Sequence, residues 1–284
     1  MRQILPKNIL IAQIALSYIE KMTTLISQQE HLRTVEIAGY QLALDLRYRH
    51  ESAYYDLIRN HLVDTDSLIF ARFLRPGDRV LDAGANIGYT SLKALSYGAA
   101  GVYAFEPVPE LYHRLAALQD ARLHAFDIAL SDADGAAEML LSQTHNQGHT
   151  LDPRFLEIFP AVFGERPATC IVELATLDRV AADLHFDFMK IDVEGSELAL
   201  LRGAKKLLGS HPPRIMVVEI YDHCFAETHQ EAAKYFQYVR RVALEYATTS
   251  LRLAPPGDPA ILDEQRYQFR PPVYVYGNDE GLFE

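Results

Sequence analysis

Chemistry in this 284-residue chain concentrates where short apolar runs end on carboxylates. Residues 79–82 read Arg-Val-Leu-Asp and lead directly into Gly84-Ala85-Asn86-Ile87-Gly88, so a strand, a glycine turn and a helix start follow one another. That context is what a glycine loop needs before it is credited with holding a ligand. Gly84 lets the backbone turn without a Cβ clash, Gly88 permits close packing, and the amides of a helix opening at Tyr89 and Thr90 can receive a carboxylate. Glu106 ends the next apolar run with Pro107 fixing the turn behind it, and an acid at that place can accept both hydroxyls of a ribose. Asp127 closes the third run, within reach of an adenine amino group, and the backbone at Ile128 flanks the ring.

Two cofactor classes share an acid placed after a glycine loop. A nicotinamide dinucleotide site asks for Gly-x-Gly-x-x-Gly, so that a helix can approach the pyrophosphate. Here Asp82 and Asn86 take the outer signature positions around only two glycines, and strand ends lined with acids suit a cationic cofactor without phosphates. The expected cofactor is therefore S-adenosylmethionine, with Asp82, Gly84, Ala85, Asn86, Gly88, Tyr89, Thr90, Glu106, Pro107, Asp127, Ile128 and Asp192 as its binding residues.

These residues must be carried by elements that bring strand ends together. Apolar runs at 79–82, 101–106, 123–127, 187–192 and 215–220 alternate with helical patterns at 88–97, 109–119, 195–208 and 228–240. This is the rhythm of an α/β fold with a parallel sheet, in which ligands bind beyond the carboxyl ends of the strands. Between the third and fourth strands, residues 128–185 form an insertion, with a hairpin expected at 131–141 and a polar loop at 143–153 that shapes the substrate pocket. Residues 241–253 and 272–276 are expected to close the sheet as an antiparallel pair. Ahead of the core, residues 4–29 carry an amphipathic pattern, residues 34–46 alternate around Gly39-Tyr40 as a hairpin, and residues 52–74 read as helix up to Pro76-Gly77. The chain thus divides into a helix and hairpin extension, 1–75, and a cofactor-binding domain, 76–284.

Several segments taken together resemble the FkbM family of S-adenosylmethionine-dependent methyltransferases: 80–88 (VLDAGANIG), 104–109 (AFEPVP), 175–178 (ATLD), 186–197 (FDFMKIDVEGSE) and 200–204 (LLRGA). The resemblance implies a Rossmann-like seven-stranded methyltransferase sheet, here with an N-terminal helical and hairpin extension, and O-methylation of a hydroxyl on a sugar or natural product. It also implies cofactor roles for Asp82, Gly84, Asn86, Gly88 and Glu106, and places Asp192 and Glu194 where cofactor and acceptor meet. The amino-terminal helix and the segment after Tyr221 match no family signature.

Methyl transfer from a sulfonium is an in-line displacement in which the protein mainly aligns the reactants, but an alcohol acceptor also asks for a general base. Asp192, Glu194, His223 and His149 are the catalytic candidates, with His145 and Glu219 beside them. Each has a plainer role open to it: solvated loop residue for His145 and His149, packing for His223, helix-start stabilisation for Glu194. No metal is expected, since Asp192 and Glu194 lack a third acidic ligand at fixed spacing and Lys190 and Arg202 can neutralise them.

A net charge of −11, from 27 basic and 38 acidic residues with no basic stripe, argues against a nucleic-acid partner. Cys170 and Cys224 are too few for a disulfide framework and read as free thiols. No run of about 18 apolar residues suggests a membrane span, so the expected setting is cytoplasmic, with a small-molecule hydroxyl acceptor, in one form a sugar, as partner. The 4–29 helix offers a surface for homo-oligomer formation. Two other readings share the cofactor: N- or C-methylation of a peptide or lipid intermediate, and a non-catalytic interaction protein.

Overall fold

The computed structural model describes residues 31–37, 39–143, 146–245, 250–256 and 272–283. The expected helix at 4–29, and with it the proposed oligomer surface, lies outside the described residues, as does His145. The extension opens with an antiparallel hairpin, β1 (Leu32–Ile37) and β2 (Tyr40–Asp45), turning at Gly39 as the alternation predicts. The single helix expected at 52–74 is instead two, α1 (Arg49–Arg59) and α2 (Thr65–Phe73). The break follows from local chemistry. His61 takes a left-handed conformation, and Asp64 starts a new helix by accepting the Ser67 amide at 2.7 Å.

Next come β3 (Arg79–Ala83), α3 (Tyr89–Ser96), β4 (Gly101–Phe105), α4 (Pro109–Ala116) and β5 (Leu123–Phe126), close to their expected bounds. The insertion holds β6 (Ile128–Leu130), β7 (Gly135–Leu141), α5 (Phe155–Ile158), α6 (Pro160–Phe163) and β8 (Ala168–Ala175). These strands form a separate sheet in the order β6-β8-β7. The hairpin expected at 131–141 is therefore absent: β8 lies between the two strands, parallel to β6 and antiparallel to β7. The polar stretch 131–134 carries the chain past β8 rather than folding it back on itself.

The remainder comprises α7 (Leu177–Val180), β9 (Phe188–Ile191), α8 (Glu197–Gly203), α9 (Lys205–Ser210), β10 (Ile215–Glu219), α10 (Asp222–Ala232), β11 (Tyr238–Glu245), β12 (Ser250–Ala254) and β13 (Val273–Gly277). The helix expected at 228–240 starts earlier and stops earlier, because 238–245 alternates as a strand. The stretch read as one strand at 241–253 is two, paired antiparallel. A seven-stranded sheet thus becomes eight-stranded, in the order β12-β11-β13-β10-β9-β3-β4-β5. β13 closes it antiparallel between β10 and β11, and the five strands from β10 to β5 run parallel.

Buried apolar side chains alternate to the two faces of this sheet. Val80, Val102, Phe188 and Val217 face one cluster, which includes Ile69, Phe70 and Phe73 of α2, Leu92 of α3 and Leu115 of α4. Leu81, Met189, Met216 and Val218 face the other, with Leu177, Leu200, Leu207 and Ala232. The chain leaves β3 in one direction and returns at β9 beside it, so the sheet's switch point, where α/β folds bind ligands, lies between these two strands. Among the described residues no helix is long and apolar enough to cross a membrane.

Candidate active site

At the switch point the ends of β3 and β9 come together. The Asp192 amide donates to the Ala83 carbonyl at 3.0 Å. Gly84, with φ at +80°, then turns the chain so closely past Asp192 that a Cβ there would lie 1.8 Å from the Asp192 carbonyl oxygen. Here glycine is required twice over, by conformation and by contact. Gly88 repeats the pattern at the start of α3, where an added Cβ would meet Leu118 at 2.6 Å and Leu115 at 2.9 Å.

Beyond these strand ends opens a cavity of about 450 Å³, a volume typical of small-molecule sites. Gly84, Ala85, Asn86, Tyr89, Thr90, Glu106, Pro107, Ile128, His149, Asp192 and Glu194 all line it, together with Glu219. Four of the predicted residues stand elsewhere. Asp82 is buried behind the wall, where Ser91 Oγ donates to it at 2.6 Å, so it supports the loop from beneath. Gly88 packs on α4, Asp127 is exposed beside the cavity, and His223 is exposed on α10, 3.9 Å from Asp152. α10 begins at Asp222, and His223 stands behind the cavity wall, its ring 5.8 Å from that of Phe155 and 5.9 Å from that of Tyr221.

The acids of the cavity differ in their surroundings. Glu106 accepts the Asn86 amide at 2.9 Å on one oxygen and the Val108 amide at 2.8 Å on the other. Each oxygen keeps a lone pair for a further donor, so the carboxylate fits a ribose diol. Burial pushes its pKa up to about 7 against the pull of those amides. Asp192 is joined to Lys190 at 3.1 Å. Lys190 is itself buried; burial works against its charge, but Asp192, Asp82, Asp66 and Glu219 outweigh it and hold the ammonium well above its ordinary value. Glu194 accepts the Tyr221 hydroxyl at 2.6 Å, and its own left-handed backbone is held by Thr150, whose hydroxyl donates to its carbonyl at 2.5 Å. Burial, with the negative charge of Asp192, raises the proton affinity of Glu194 well above that of a solvated carboxyl. His149 accepts the Ser142 amide on Nδ1 at 3.0 Å, so in the neutral ring Nε2 carries the proton and no lone pair remains for a base.

Several cavity residues were not foreseen. α1 and α2 fold over the mouth and contribute His50, Tyr54, Asp64, Thr65 and Asp66. Tyr54 stacks on Tyr89 with ring centroids 3.8 Å apart, and Asp64 accepts the Tyr89 hydroxyl at 2.5 Å while pairing with Lys93 at 3.3 Å. Asn86 donates to the Asn146 carbonyl at 2.7 Å, Asn146 donates to Glu51 at 2.7 Å, and Glu51 is paired with Arg114 at 2.6 Å. Phe155, Phe159 and Tyr221 build an aromatic wall, the Phe155 and Tyr221 rings meeting edge to face at 4.9 Å. The Asp64 helix start was the one available signal: an Asp three residues before a Ser marks a capped helix and splits the extension where the cavity needs it.

Among the described residues Asp152, His223 and Cys224 bring ligand atoms together as a metal site would, and Arg154 contacts two of the three. Arg154 Nε lies 2.9 Å from both Asp152 oxygens, and Arg154 reaches Cys224 Sγ at 3.4 Å. Both cysteines are free, as expected.

A model of the FkbM methyltransferase domain matches residues 82–244, more than half of the chain. The chain belongs to the FkbM methyltransferase family. As a member it is an S-adenosylmethionine-dependent methyltransferase, and the matched segment runs from Asp82 beneath the glycine loop to β11. The family likeness extends to the 31-O-demethyl-FK506 methyltransferase of Streptomyces tacrolimicus, 32% identical over 179 residues that cover 52% of this chain and 67% of that protein. Among solved structures, a TehB-like methyltransferase from Corynebacterium glutamicum is 12% identical, with a TM-score of 0.41 over 81% of this chain and 96% of its own. The magnesium protoporphyrin IX methyltransferase of Synechocystis PCC 6803 is 13% identical, with a TM-score of 0.39 over 81% of this chain and 82% of its own. The FkbM match leaves residues 31–81 uncovered, although α1 and α2 supply part of the cavity wall.

Proposed function

We propose that this FkbM methyltransferase transfers a methyl group to a hydroxyl of a sugar or other small natural-product acceptor. The observation that carries the reading is the convergence, in one cavity, of two sets of residues: the glycine loop with Glu106, and Glu194 with Tyr221, Phe155 and Phe159. The first set fits S-adenosylmethionine: Glu106 has acceptor capacity for the ribose, Ile128 and Leu111 offer apolar contact for the adenine, and the α3 amides can receive the carboxylate. When bound, that cofactor supplies an electrophilic methyl on a sulfonium.

The second set serves the acceptor. Aromatic walls bind a ring or an apolar body, and Glu194 takes the hydroxyl proton as the oxygen attacks. Its raised proton affinity is in the direction such a base requires, and the Tyr221 hydroxyl donates to its Oε2. The name of the S. tacrolimicus relative describes methylation of an oxygen on a natural product, which agrees with this choice of acceptor atom.

Incubation with methyl-labelled cofactor and fractionated cell extract tests the reading. The label is expected in an ether on a low-molecular-weight product, and Glu194→Gln is expected to slow its formation by about 10²–10⁴-fold. Label found on nitrogen or carbon would refute the hydroxyl assignment.

A further inference from the structure

One acid of the cavity wall, Asp66, has a setting the site so far leaves unused. Asp66 lies in the first turn of α2, half-buried in the wall, and no donor within hydrogen-bond distance serves its carboxylate among the described residues. Its neighbours in the cavity are engaged: Glu106 by two amides, Asp192 by Lys190, Glu194 by Tyr221, and Asp64 by Ser67, Tyr89 and Lys93.

Its position is fixed by Asp64, two residues earlier. The bonds from Asp64 to Tyr89 and Lys93 fasten the start of α2 to α3, the helix that follows the glycine loop. Asp66 therefore stands at the loop end of the cavity rather than against the aromatic wall. Around it the charges do not balance. Among the described residues Lys190 is the cation that acts on Asp66 and Asp82 as well as on its own partner Asp192, and Asp82 keeps a buried oxygen without a hydrogen-bond partner. A cationic group entering beside the loop would correct that surplus, and an ammonium needs a carboxylate with free lone pairs.

We propose that Asp66 receives the α-ammonium at the methionine end of the cofactor, so that the cofactor site extends into the helices ahead of residue 82. This rests on the cofactor reading above. With the carboxylate end of the same amino acid on the α3 amides, the ammonium and carboxylate meet groups of opposite charge on adjacent helix starts. Burial raises the Asp66 pKa to about 6; Lys190 opposes that rise, and Asp64, Asp192 and Asp82 add to it. The carboxylate is therefore ionised at neutral pH and becomes neutral in mild acid.

Calorimetry on the full chain tests this with three probes: S-adenosylhomocysteine, its deaminated analogue, and 5′-methylthioadenosine, which lacks the amino-acid end. Asp66→Asn is expected to weaken S-adenosylhomocysteine at least tenfold and to leave 5′-methylthioadenosine unchanged. In the wild-type chain the deaminated analogue should bind as weakly as S-adenosylhomocysteine binds to the variant, a comparison that stands even if the variant folds poorly. Affinity for S-adenosylhomocysteine should fall more steeply below about pH 6 in the wild type than in Asp66→Asn, the titration of Glu106 near 7 being common to both. Equal loss for 5′-methylthioadenosine, or undiminished binding of the deaminated analogue, would overturn the role of Asp66. If the wild type binds none of the three, the cofactor reading itself fails.

Discussion

The contact between Gly84 and Asp192 makes a quantitative demand on the fold. An alanine at position 84 would place its Cβ 1.8 Å from the Asp192 carbonyl oxygen, where ordinary contact begins at 3.4 Å, so the two strand ends would have to separate by about 1.6 Å. Three costs follow. The left-handed conformation at +80° costs about 1–2 kcal/mol for a residue with a Cβ. Separation breaks the Asp192 to Ala83 hydrogen bond, worth about 1 kcal/mol. Forcing apart packed strands adds about 1–3 kcal/mol of the kind seen on overpacking. Gly84→Ala should therefore destabilise the protein by about 3–6 kcal/mol, a large share of the stability of an ordinary domain. Gly77 provides the control: its φ is +94°, yet an added Cβ would meet nothing within 4 Å, so Gly77→Ala should cost only the conformational part, about 1–2 kcal/mol. Urea unfolding of the two variants, with calorimetry against S-adenosylhomocysteine, separates the terms. If Gly84→Ala is no less stable than Gly77→Ala and binds the ligand normally, the close approach of β3 and β9 is not what makes glycine necessary.

Removing Glu51 leaves Arg114 without its buried partner and Asn146 without its acceptor; Glu51→Ala should cost about 3–5 kcal/mol in chemical denaturation. Glu106 and Glu197 are both pushed up to about 7, chiefly by burial, so the folded state holds their protons more tightly than the unfolded chain does. Stability measured without ligand should fall as pH rises from about 4.5 to about 7, by about 3 kcal/mol per group, and level off above. Glu197→Gln keeps an acceptor for the Val193 and Gly195 amides and removes that buried charge, so at pH 8 it should be at least as stable as the wild type and should titrate less steeply. Tyr221→Phe frees Glu194 from its hydroxyl donor; the pH profile of methyl transfer should shift upward while S-adenosylhomocysteine affinity stays unchanged, and a loss of cofactor affinity instead would show that Tyr221 serves the other end of the cavity.

Much of the sheet was legible because burial writes itself into the sequence. Val80 and Leu81, or Val217 and Val218, must satisfy cores on opposite faces, so parallel strands read as apolar runs, and the acids that end them point to the cavity. Glu106 and Asp192 were read in this way, and Glu194 from the family resemblance; all three line the cavity. The signal fails where position depends on partners remote in sequence. Nothing local in residues 131–141 reveals that β8 will enter beside β6 and β7. Tyr54 and Asp66 are ordinary residues of amphipathic helices until the extension is seen folded over the loop. The place of His223 depends on a remote partner too: it follows a strand that ends at the cavity, but the helix starting at Asp222 sets it behind Phe155 and Tyr221 rather than in the lining. Asp127 shows the limit of reading strand ends from sequence: the strand ends at Phe126, and the next position is exposed beside the cavity.

The chain of bonds from Asn86 through Asn146 to Glu51 and Arg114 has a thermodynamic consequence. It joins the glycine loop, the insertion and the extension, three segments far apart in sequence, through hydrogen bonds that form only when all three are in place. Any ligand that favours the bound geometry of Asn86 must then also favour the docked extension, and by reciprocity a substitution at Glu51, outside the cavity lining, must weaken that ligand. Amide exchange in α1 should slow when S-adenosylhomocysteine is added, to an extent that grows with ligand concentration as mass action requires. The extension is in this sense a reporter of cofactor occupancy.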